Sequence, residues 1–230
     1  MKTRILLLLL LATVTAGAQT KFAKQLSKGN GQVFVVYGTS VESLGHGRQW
    51  VEAVGKELDR LYEGDLVLYN SGRSGMNSRW ALQHLQDSVI ARCPDAVLVE
   101  FATNDAVQRF NISLEECRNN TLEIIRRIQE ALPKCEIILQ TTCGHPLGKA
   151  AESRPDMSSY NNVYAEIAKE KKLLHIDESE IFADLFTRVD LKTYRTYSGD
   201  GVHSTSKGAM EIFFPVVMEA LTGKRYQLDL

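Results

Sequence analysis

Five short apolar runs, separated by segments with helical spacing, constrain the fold of this chain more than any other feature. The runs cover residues 32–37, 66–69, 96–101, 136–141 and 173–176. They are continuous, mostly apolar runs rather than alternating ones, which predicts strands that are buried on both faces of a sheet. Strands separated by helices are typical of βαβ units with parallel strands. The chain is therefore expected to form an α/β fold around a five-stranded parallel sheet.

The segments between these runs are expected to be mostly helical. Ser113 is expected to begin a long helix that stops before Pro133, and Ser204 or Thr205 to cap a final helix that ends near Leu221. Residues 142–157 contain two prolines and two glycines and are expected to form a loop. The remaining predicted helices cover residues 49–61, 79–91 and 160–171.

The first 18 residues are typical of a secretory signal peptide. Lys2 and Arg4 precede an apolar run, and Ala16-Gly17-Ala18 forms the small-x-small pattern of a cleavage site. An uncleaved N-terminal anchor is the alternative. We expect residues 19–230 to form one domain that is secreted or periplasmic, with no stable membrane insertion after the signal is removed.

Charge and cysteine content limit the partners. The chain has 27 basic and 28 acidic residues, so no basic field for nucleic acid is expected. The four cysteines allow three complete disulfide pairings. Cys93 and Cys135 each precede a strand-like run, which makes their pairing a weak guess, with buried free thiols as the alternative. No C-x-x-C pair points to a zinc or thioredoxin-like site.

Polar residues follow the predicted strands at the edge where parallel α/β sheets bind ligands. Ser40 follows the first strand, Gly75 ends a polar loop after the second, and Asn104 follows the third. Asp200 and His203 precede the last helix. An Asp three residues before a His can orient the imidazole, which then takes a proton from a hydroxyl.

Each of these pieces alone has a simpler interpretation. A serine after a strand is usually part of a turn, and an Asp-x-x-His before a helix is more often a cap and a surface histidine. Their joint placement at one edge supplies a nucleophile, a base, an orienting carboxylate and donors for an oxyanion. We therefore predict a serine hydrolase site.

The four blocks resemble those of the SGNH, or GDSL-type, hydrolase superfamily, in the same order and over nearly the whole mature chain. The resemblance implies that Ser40 is the nucleophile, His203 the general base and acid, and Asp200 its orienter. It implies an oxyanion hole formed by the N–H groups of Ser40 and Gly75 and the side-chain amide of Asn104. It also implies a flavodoxin-like three-layer α/β/α sandwich with strand order 2-1-3-4-5.

Two positions depart from the family pattern. Thr39 occupies the place of the usual Asp before the nucleophile, and Ala102 the place of the usual Gly before Asn104. Both departures are expected to affect rate or substrate without removing a catalytic role. Arg73 and His145 are possible substrate-binding residues. No metal and no organic cofactor is expected.

The expected activity is hydrolysis of O-acyl esters through an acyl-serine intermediate. The leading expectation is a short, acetyl-like acyl group. The substrate is expected to be a small-molecule or glycan ester, with carbohydrate favoured. A lysophospholipase or thioesterase on the same site, and acyl transfer to a sugar hydroxyl, are enzymatic alternatives. A non-catalytic carbohydrate-binding module that keeps the fold is the alternative from another class.

Overall fold

The computed structural model describes residues 19–63 and 65–226 and contains a parallel sheet with strand order β2-β1-β3-β4-β5. This confirms the predicted α/β sandwich and its strand order. Two strands have the predicted bounds, while the third ends two residues early, before Glu100. The strands are β1 (Gln32–Tyr37), β2 (Leu66–Asn70), β3 (Ala96–Val99), β4 (Glu136–Thr141) and β5 (Leu174–Asp177).

The central strands are buried on both faces, as their continuous apolar sequences require. Every residue of β3 and all but one of β1 are buried. β2 lies at the edge of the sheet, where Val67 is 43% exposed. Neighbouring strands end in register, with Val36 opposite Asn70 and Tyr37 opposite Val99. The segments that follow β1, β2 and β3 therefore meet at one edge.

Helices cover both faces of this sheet. The described helices are α1 (Lys21–Leu26), α2 (Ser40–Ser43), α3 (His46–Tyr62), α4 (Ser78–Ser88), α5 (Ala102–Asp105), α6 (Leu114–Ala131), α7 (Lys149–Ser153), α8 (Met157–Lys171), α9 (Glu178–Arg188), α10 (Leu191–Tyr197), α11 (Ser206–Gly208) and α12 (Phe214–Thr222). From β1 to β2 the chain moves toward one edge of the sheet, and from β2 to β5 it moves toward the opposite edge. Right-handed crossovers therefore place α3, which contacts α12, opposite the layer of α4, α6 and α8.

Several segments differ from the prediction. The expected loop over residues 142–157 contains α7, and α8 begins at Met157 rather than at residue 160. The helices α1, α9 and α10 were not anticipated. Thr205 caps the final helical segment, in which a π-helical stretch (Ala209–Phe213) separates α11 from α12. The two prolines of the expected loop lie outside α7, which explains why they do not prevent a helix there.

The weak guess of a Cys93–Cys135 disulfide is wrong, because all four cysteines are free thiols. Cys93 is exposed and has a left-handed backbone (φ +51°), while the Cys135 thiol contacts the carbonyl oxygen of Glu136. The alternative of four buried thiols is also only partly right. Cys117 and Cys143 are buried, but Cys135 is half-buried.

The predicted signal peptide, residues 1–18, lies outside the described residues and stays a prediction. Among residues 19–63 and 65–226, each helix is either too short or too polar to cross a lipid bilayer.

Candidate active site

Ser40 is the first residue of α2, directly after the turn that ends β1. Its side chain is nearly buried, with 7% of the residue exposed. Its hydroxyl oxygen lies 2.8 Å from Nε2 of His203, which is 163 residues away in the sequence. The N–H of Ser40 starts the helix and has no carbonyl one turn earlier to bind. The turn therefore presents a hydroxyl and a backbone donor at the same place.

The imidazole of His203 is held from its other side by Asp200. Nδ1 of His203 lies 2.8 Å from Oδ2 of Asp200. An ionised carboxylate can only accept, so Nδ1 carries the proton and the Nε2 lone pair faces the serine hydroxyl. Oδ1 of Asp200 accepts from the backbone N–H groups of Val202 at 2.9 Å and His203 at 2.8 Å. Hydrogen bonds thus connect the hydroxyl, the imidazole and the carboxylate in series.

The hydrogen bonds around Asp200 decide its protonation state. Partial burial would raise the pKa of Asp200, but the donors from the His203 side chain and from the backbone of His203 and Val202 outweigh it. The pKa of Asp200 therefore lies below its ordinary value. Its side chain is 44% exposed, so solvent also helps to keep it ionised.

The loop after β4 supports the Asp200–His203 loop. The N–H of Leu147 donates to the Asp200 carbonyl at 2.8 Å, and the Cys143 thiol to the Gly201 carbonyl at 3.2 Å. Gly201 has a positive φ of +77°, and a Cβ there would lie 2.0 Å from the carbonyl oxygen of His145. Only glycine fits at this contact without a shift of the backbone. The two loops are therefore fitted closely to each other.

His145, a predicted substrate-binding candidate, is part of this supporting contact. Its ring stacks on Phe186 with centroids 3.5 Å apart, and its carbonyl accepts from the hydroxyl of Tyr194 at 3.0 Å. Burial lowers the pKa of His145. These contacts give the ring a packing role beside the Asp200–His203 loop, and its role toward substrate stays a prediction.

The two other predicted oxyanion donors lie on segments that contact each other. Gly75 has a φ of +75°, and the side-chain nitrogen of Asn104 donates to the carbonyl of the next residue, Met76, at 2.8 Å. Asn104 is only 5% exposed. An asparagine amide has two N–H bonds, so one remains for a ligand. Within residues 19–63 and 65–226, the backbone N–H of Gly75 donates to no other residue.

Arg73, the second substrate-binding candidate, lies in the same loop as Gly75. Its backbone N–H donates to the Gly38 carbonyl at 2.9 Å, which ties the loop to the nucleophile turn. Its side chain is exposed. Arg73 therefore lies on the loop that contacts the nucleophile turn, and its role toward substrate stays a prediction.

A group of three glutamates that the sequence analysis did not single out lies beside the nucleophile turn. Glu42, Glu100 and Glu178 are fully buried, and we call them the buried acidic cluster. Thr39 connects two of them, because its N–H donates to Glu42 at 2.6 Å and its hydroxyl to Glu100 at 2.8 Å. Thr39 thus acts as a donor to carboxyl groups at the position where the family has a carboxylate.

Burial controls the protonation of this cluster. It raises the pKa of Glu42, and the neighbouring charge of Glu100 raises it further. Burial also raises the pKa of Glu100, although hydrogen bonds from Thr103 and Thr39 oppose the effect. The pKa of Glu178 is raised by burial against a hydrogen bond from Gln140. The surroundings of the cluster therefore disfavour the charged forms of its carboxyl groups.

The second departure from the family pattern has a local explanation. Ala102 is the first residue of α5 and its φ is not positive. A β-carbon is compatible with this backbone, so glycine is not required there. The side chain of the following donor, Asn104, is also held at its oxygen by Arg154, with NH2 of the guanidinium 3.2 Å from Oδ1.

Arg154 and the buried acidic cluster were missed by the sequence analysis. Glu100 carries a usable signal, because a charged residue directly follows a strand that is otherwise apolar. Arg154 has no comparable sequence signal, since it lies in a segment expected to be a loop. Among the described residues, no group of three His, Cys, Asp or Glu side chains is placed to hold a metal ion. The expectation of no metal and no cofactor stays a prediction.

Comparisons with known sequences bear on the family of this chain. The sequence profile of the GDSL-like Lipase/Acylhydrolase family matches residues 33–210. A comparison with curated protein sequences found no significant match.

Among solved structures, an acetyl xylan esterase from Geobacillus stearothermophilus is 22% identical, with a TM-score of 0.72 over 86% of this chain and 99% of that one. A lipase/acylhydrolase from Enterococcus faecalis is 21% identical, with a TM-score of 0.70 over 85% of this chain and 99% of that one. At these identities the likeness shows the shared fold.

Proposed function

The chain belongs to the GDSL-like Lipase/Acylhydrolase family and is a carboxylic ester hydrolase, and on that basis we propose that it is an exported serine esterase that removes short acyl groups from carbohydrate. The observation that carries the catalytic part is the line of two 2.8 Å contacts from Ser40 through His203 to Asp200. Three residues connected in this way can activate a hydroxyl that alone is a poor nucleophile.

In the proposed reaction, Ser40 attacks the ester carbonyl while Nε2 of His203 takes its proton. Asp200 holds the imidazole in the required tautomer and stabilises the imidazolium. The bond from the carbonyl carbon to the leaving alcohol then breaks, and His203 returns the proton to that alcohol. Water, deprotonated by His203, attacks the acyl-serine and releases the acid, which restores Ser40.

The negative charge of each tetrahedral intermediate needs donors that are already in place. The N–H groups of Ser40 and Gly75 and the second N–H of Asn104 are the proposed donors. Loss of one such donor typically costs about 10²–10³ in kcat. Asn104 contributes an oriented amide because its side chain is nearly buried and bonded at both ends.

Two observations support a short acyl group on a hydrophilic alcohol. The imidazole of His203 is 47% exposed, so the site is shallow and open to a bulky polar substrate. A solved structural neighbour is an acetyl xylan esterase, which fits the same substrate class.

Export rests on the sequence of residues 1–18 alone. A basic start, an apolar run and a small-x-small pattern favour removal of this segment during secretion. Mass determination of the protein recovered from the medium or periplasm tests this part, and a mature chain that begins near Gln19 is the expected result.

A panel of nitrophenyl esters of increasing chain length tests the activity. We expect turnover of the acetyl ester to exceed that of the octanoyl ester, and Ser40→Ala to lose about 10⁴-fold or more of kcat. Ser27→Ala is the matched control, because Ser27 follows α1 ahead of β1 and its hydroxyl donates to the carbonyl of Lys24.

The outcomes separate the alternatives. A preference for long chains would favour the lysophospholipase or thioesterase. Equal activity of wild type and Ser40→Ala would remove Ser40 from the reaction. Absence of turnover in both, with retained binding of a glycan, would support the non-catalytic alternative. Acyl transfer would be detected as an acylated sugar acceptor among the products.

A further inference from the structure

Arg154 is an arginine whose partners are all neutral. Its Nε donates to the Thr103 carbonyl at 2.8 Å, NH1 lies 3.1 Å from the Ser153 hydroxyl, and NH2 lies 3.2 Å from Oδ1 of Asn104. No carboxylate within residues 19–63 and 65–226 forms an ion pair with it. A half-buried guanidinium without a counter-charge is costly, so its position needs a reason.

The contacts of Arg154 converge on the segment that carries Asn104. Two adjacent residues, Thr103 and Asn104, accept from the same guanidinium, one through the backbone and one through the side chain. The rigid, planar fork of donors suits such paired contacts better than an ammonium group does. Asn104 is consequently held at Oδ1 by Arg154 and at Nδ2 by the Met76 carbonyl.

From this geometry we propose that Arg154 is a positioning residue of the oxyanion hole, which orients and polarises the Asn104 amide. This inference rests on the proposed function, because it assigns Arg154 to the same site. A cation at the amide oxygen strengthens the amide N–H as a donor, since charge-assisted hydrogen bonds polarise their partners. The remaining N–H of Asn104 is then both aimed and strengthened toward the negative charge of the intermediate.

The electrostatic setting agrees with this role. Burial lowers the pKa of Arg154, while the more distant acidic groups, Asp200 and Glu100 among them, oppose that effect. Neither acid is within ion-pair distance, so the positive charge is left largely unneutralised beside the oxyanion donors. Such a charge stabilises a developing anion most strongly in the transition state, which should appear in kcat rather than in KM.

A double-mutant cycle tests whether Arg154 acts through Asn104. The variants are Arg154→Met, Asn104→Ala and the combination, assayed with nitrophenyl acetate. We expect Arg154→Met to lower kcat by about 10–100-fold with KM changed less than about threefold. In the Asn104→Ala background, the same substitution should cost less than about threefold, because the amide through which it acts is absent.

Arg109→Met is the matched control. Arg109 is exposed, lies on the segment after α5 and makes the same change in net charge, and its guanidinium lies over the ring of Phe110. We expect its kcat to remain within about twofold of wild type. Thermal unfolding of every variant shows whether it is folded, and if Arg154→Met does not fold, the same cycle is run with Arg154→Lys. Lysine keeps the charge but lacks the planar fork.

Three results would overturn the inference. The first is a rise in KM with unchanged kcat, and the second is wild-type kcat in Arg154→Met. The third is a double variant whose fold loss in kcat equals the product of the losses of the two single variants. Ser40→Ala is assayed in parallel. If Ser40→Ala retains activity, the proposed function itself fails. If Ser40→Ala is inactive while Arg154→Met is unaffected, only the role of Arg154 is excluded.

Discussion

Carboxyl groups flank the nucleophile turn on two sides, and their environments are opposite. Asp200 is 44% exposed and accepts hydrogen bonds from three N–H groups, so its pKa is lowered. The buried acidic cluster has no solvent exposure, and one oxygen of Glu42 and one of Glu178 have no hydrogen-bond partner in the described structure. The pKa values of its members are raised.

The comparison shows that the same functional group lies where its charged form is favoured in one place and where it is disfavoured in the other. Donors and water favour the charged form of Asp200, where charge is needed to stabilise an imidazolium. Burial without sufficient donors disfavours the charged form in the cluster, where Glu42 and Glu100 hold the turn through Thr39. An amide, which is neutral and nearly the same shape, should therefore be tolerated in the cluster and not at position 200.

The largest expected effect is that of Asp200→Asn. We expect kcat for nitrophenyl acetate to fall by about 10⁴-fold, because an amide neither fixes the required tautomer of His203 nor stabilises its charged form. Asp190→Asn is the matched control, since Asp190 only caps α10 through Thr193. A loss of less than about tenfold in Asp200→Asn would contradict the anionic role.

A second, smaller effect is expected for Thr39→Val. This substitution removes the hydroxyl that donates to Glu100 and accepts from the N–H of Val41, and an unsatisfied buried group costs about 1–3 kcal/mol of unfolding free energy. Thr39→Ser keeps the donor and should recover most of that loss. Urea unfolding at neutral pH measures both variants, and equal stabilities of Val and Ser variants would show that the hydrogen bond to Glu100 does not stabilise the turn.

The smallest effect at neutral pH is expected for Glu178→Gln. The amide oxygen can still accept from Gln140, so kcat should stay within about threefold of wild type. A loss of kcat comparable to that of Asp200→Asn would show that Glu178 acts as an anion. It would contradict the contrast between the cluster and Asp200.

The same variant tests the sign of the pH dependence. Above the ordinary glutamate pKa of about 4.3, the unfolded chain loses this proton while the folded chain keeps it. The unfolding free energy of wild type should therefore fall as the pH rises, by up to about 1.4 kcal/mol per pH unit for one such group. Glu178→Gln should reduce this slope between about pH 4.5 and 7. Asp200 acts in the opposite direction, since its contribution is lost only as the pH falls below the ordinary aspartate pKa.

The sheet and the polar blocks were predictable because they depend on local pattern. Continuous apolar runs require burial on both faces, and the order of Ser40, Gly75, Asn104, Asp200 and His203 follows a family pattern. The contact of Ser40 with His203 was expected on that basis, although their catalytic roles stay proposals until the variants are assayed.

The supporting contacts could not be predicted, because they depend on partners far away in the chain. Glu100 and Arg154 are charged, and charged residues are normally expected at the surface. Their burial becomes favourable only with acceptors and donors from other elements, such as Thr39 for Glu100 and Thr103 for Arg154, which lie 61 and 51 residues away. The helix α9 was missed although Phe182, Leu185 and Phe186 have helical spacing and Asp177 caps its start, so the signal was present in the sequence. The helix α10 has only seven residues, too few to show such a period.

The distance of 163 residues between Ser40 and His203 has a consequence for refolding. The serine follows the first strand and the histidine precedes the last helix, so only a fragment that spans most of the sandwich contains both. Recovery of turnover after dilution from denaturant should consequently lag behind recovery of helical circular dichroism whenever partial structures accumulate. Esterase activity would then report when the segments that carry Ser40 and His203 come into contact.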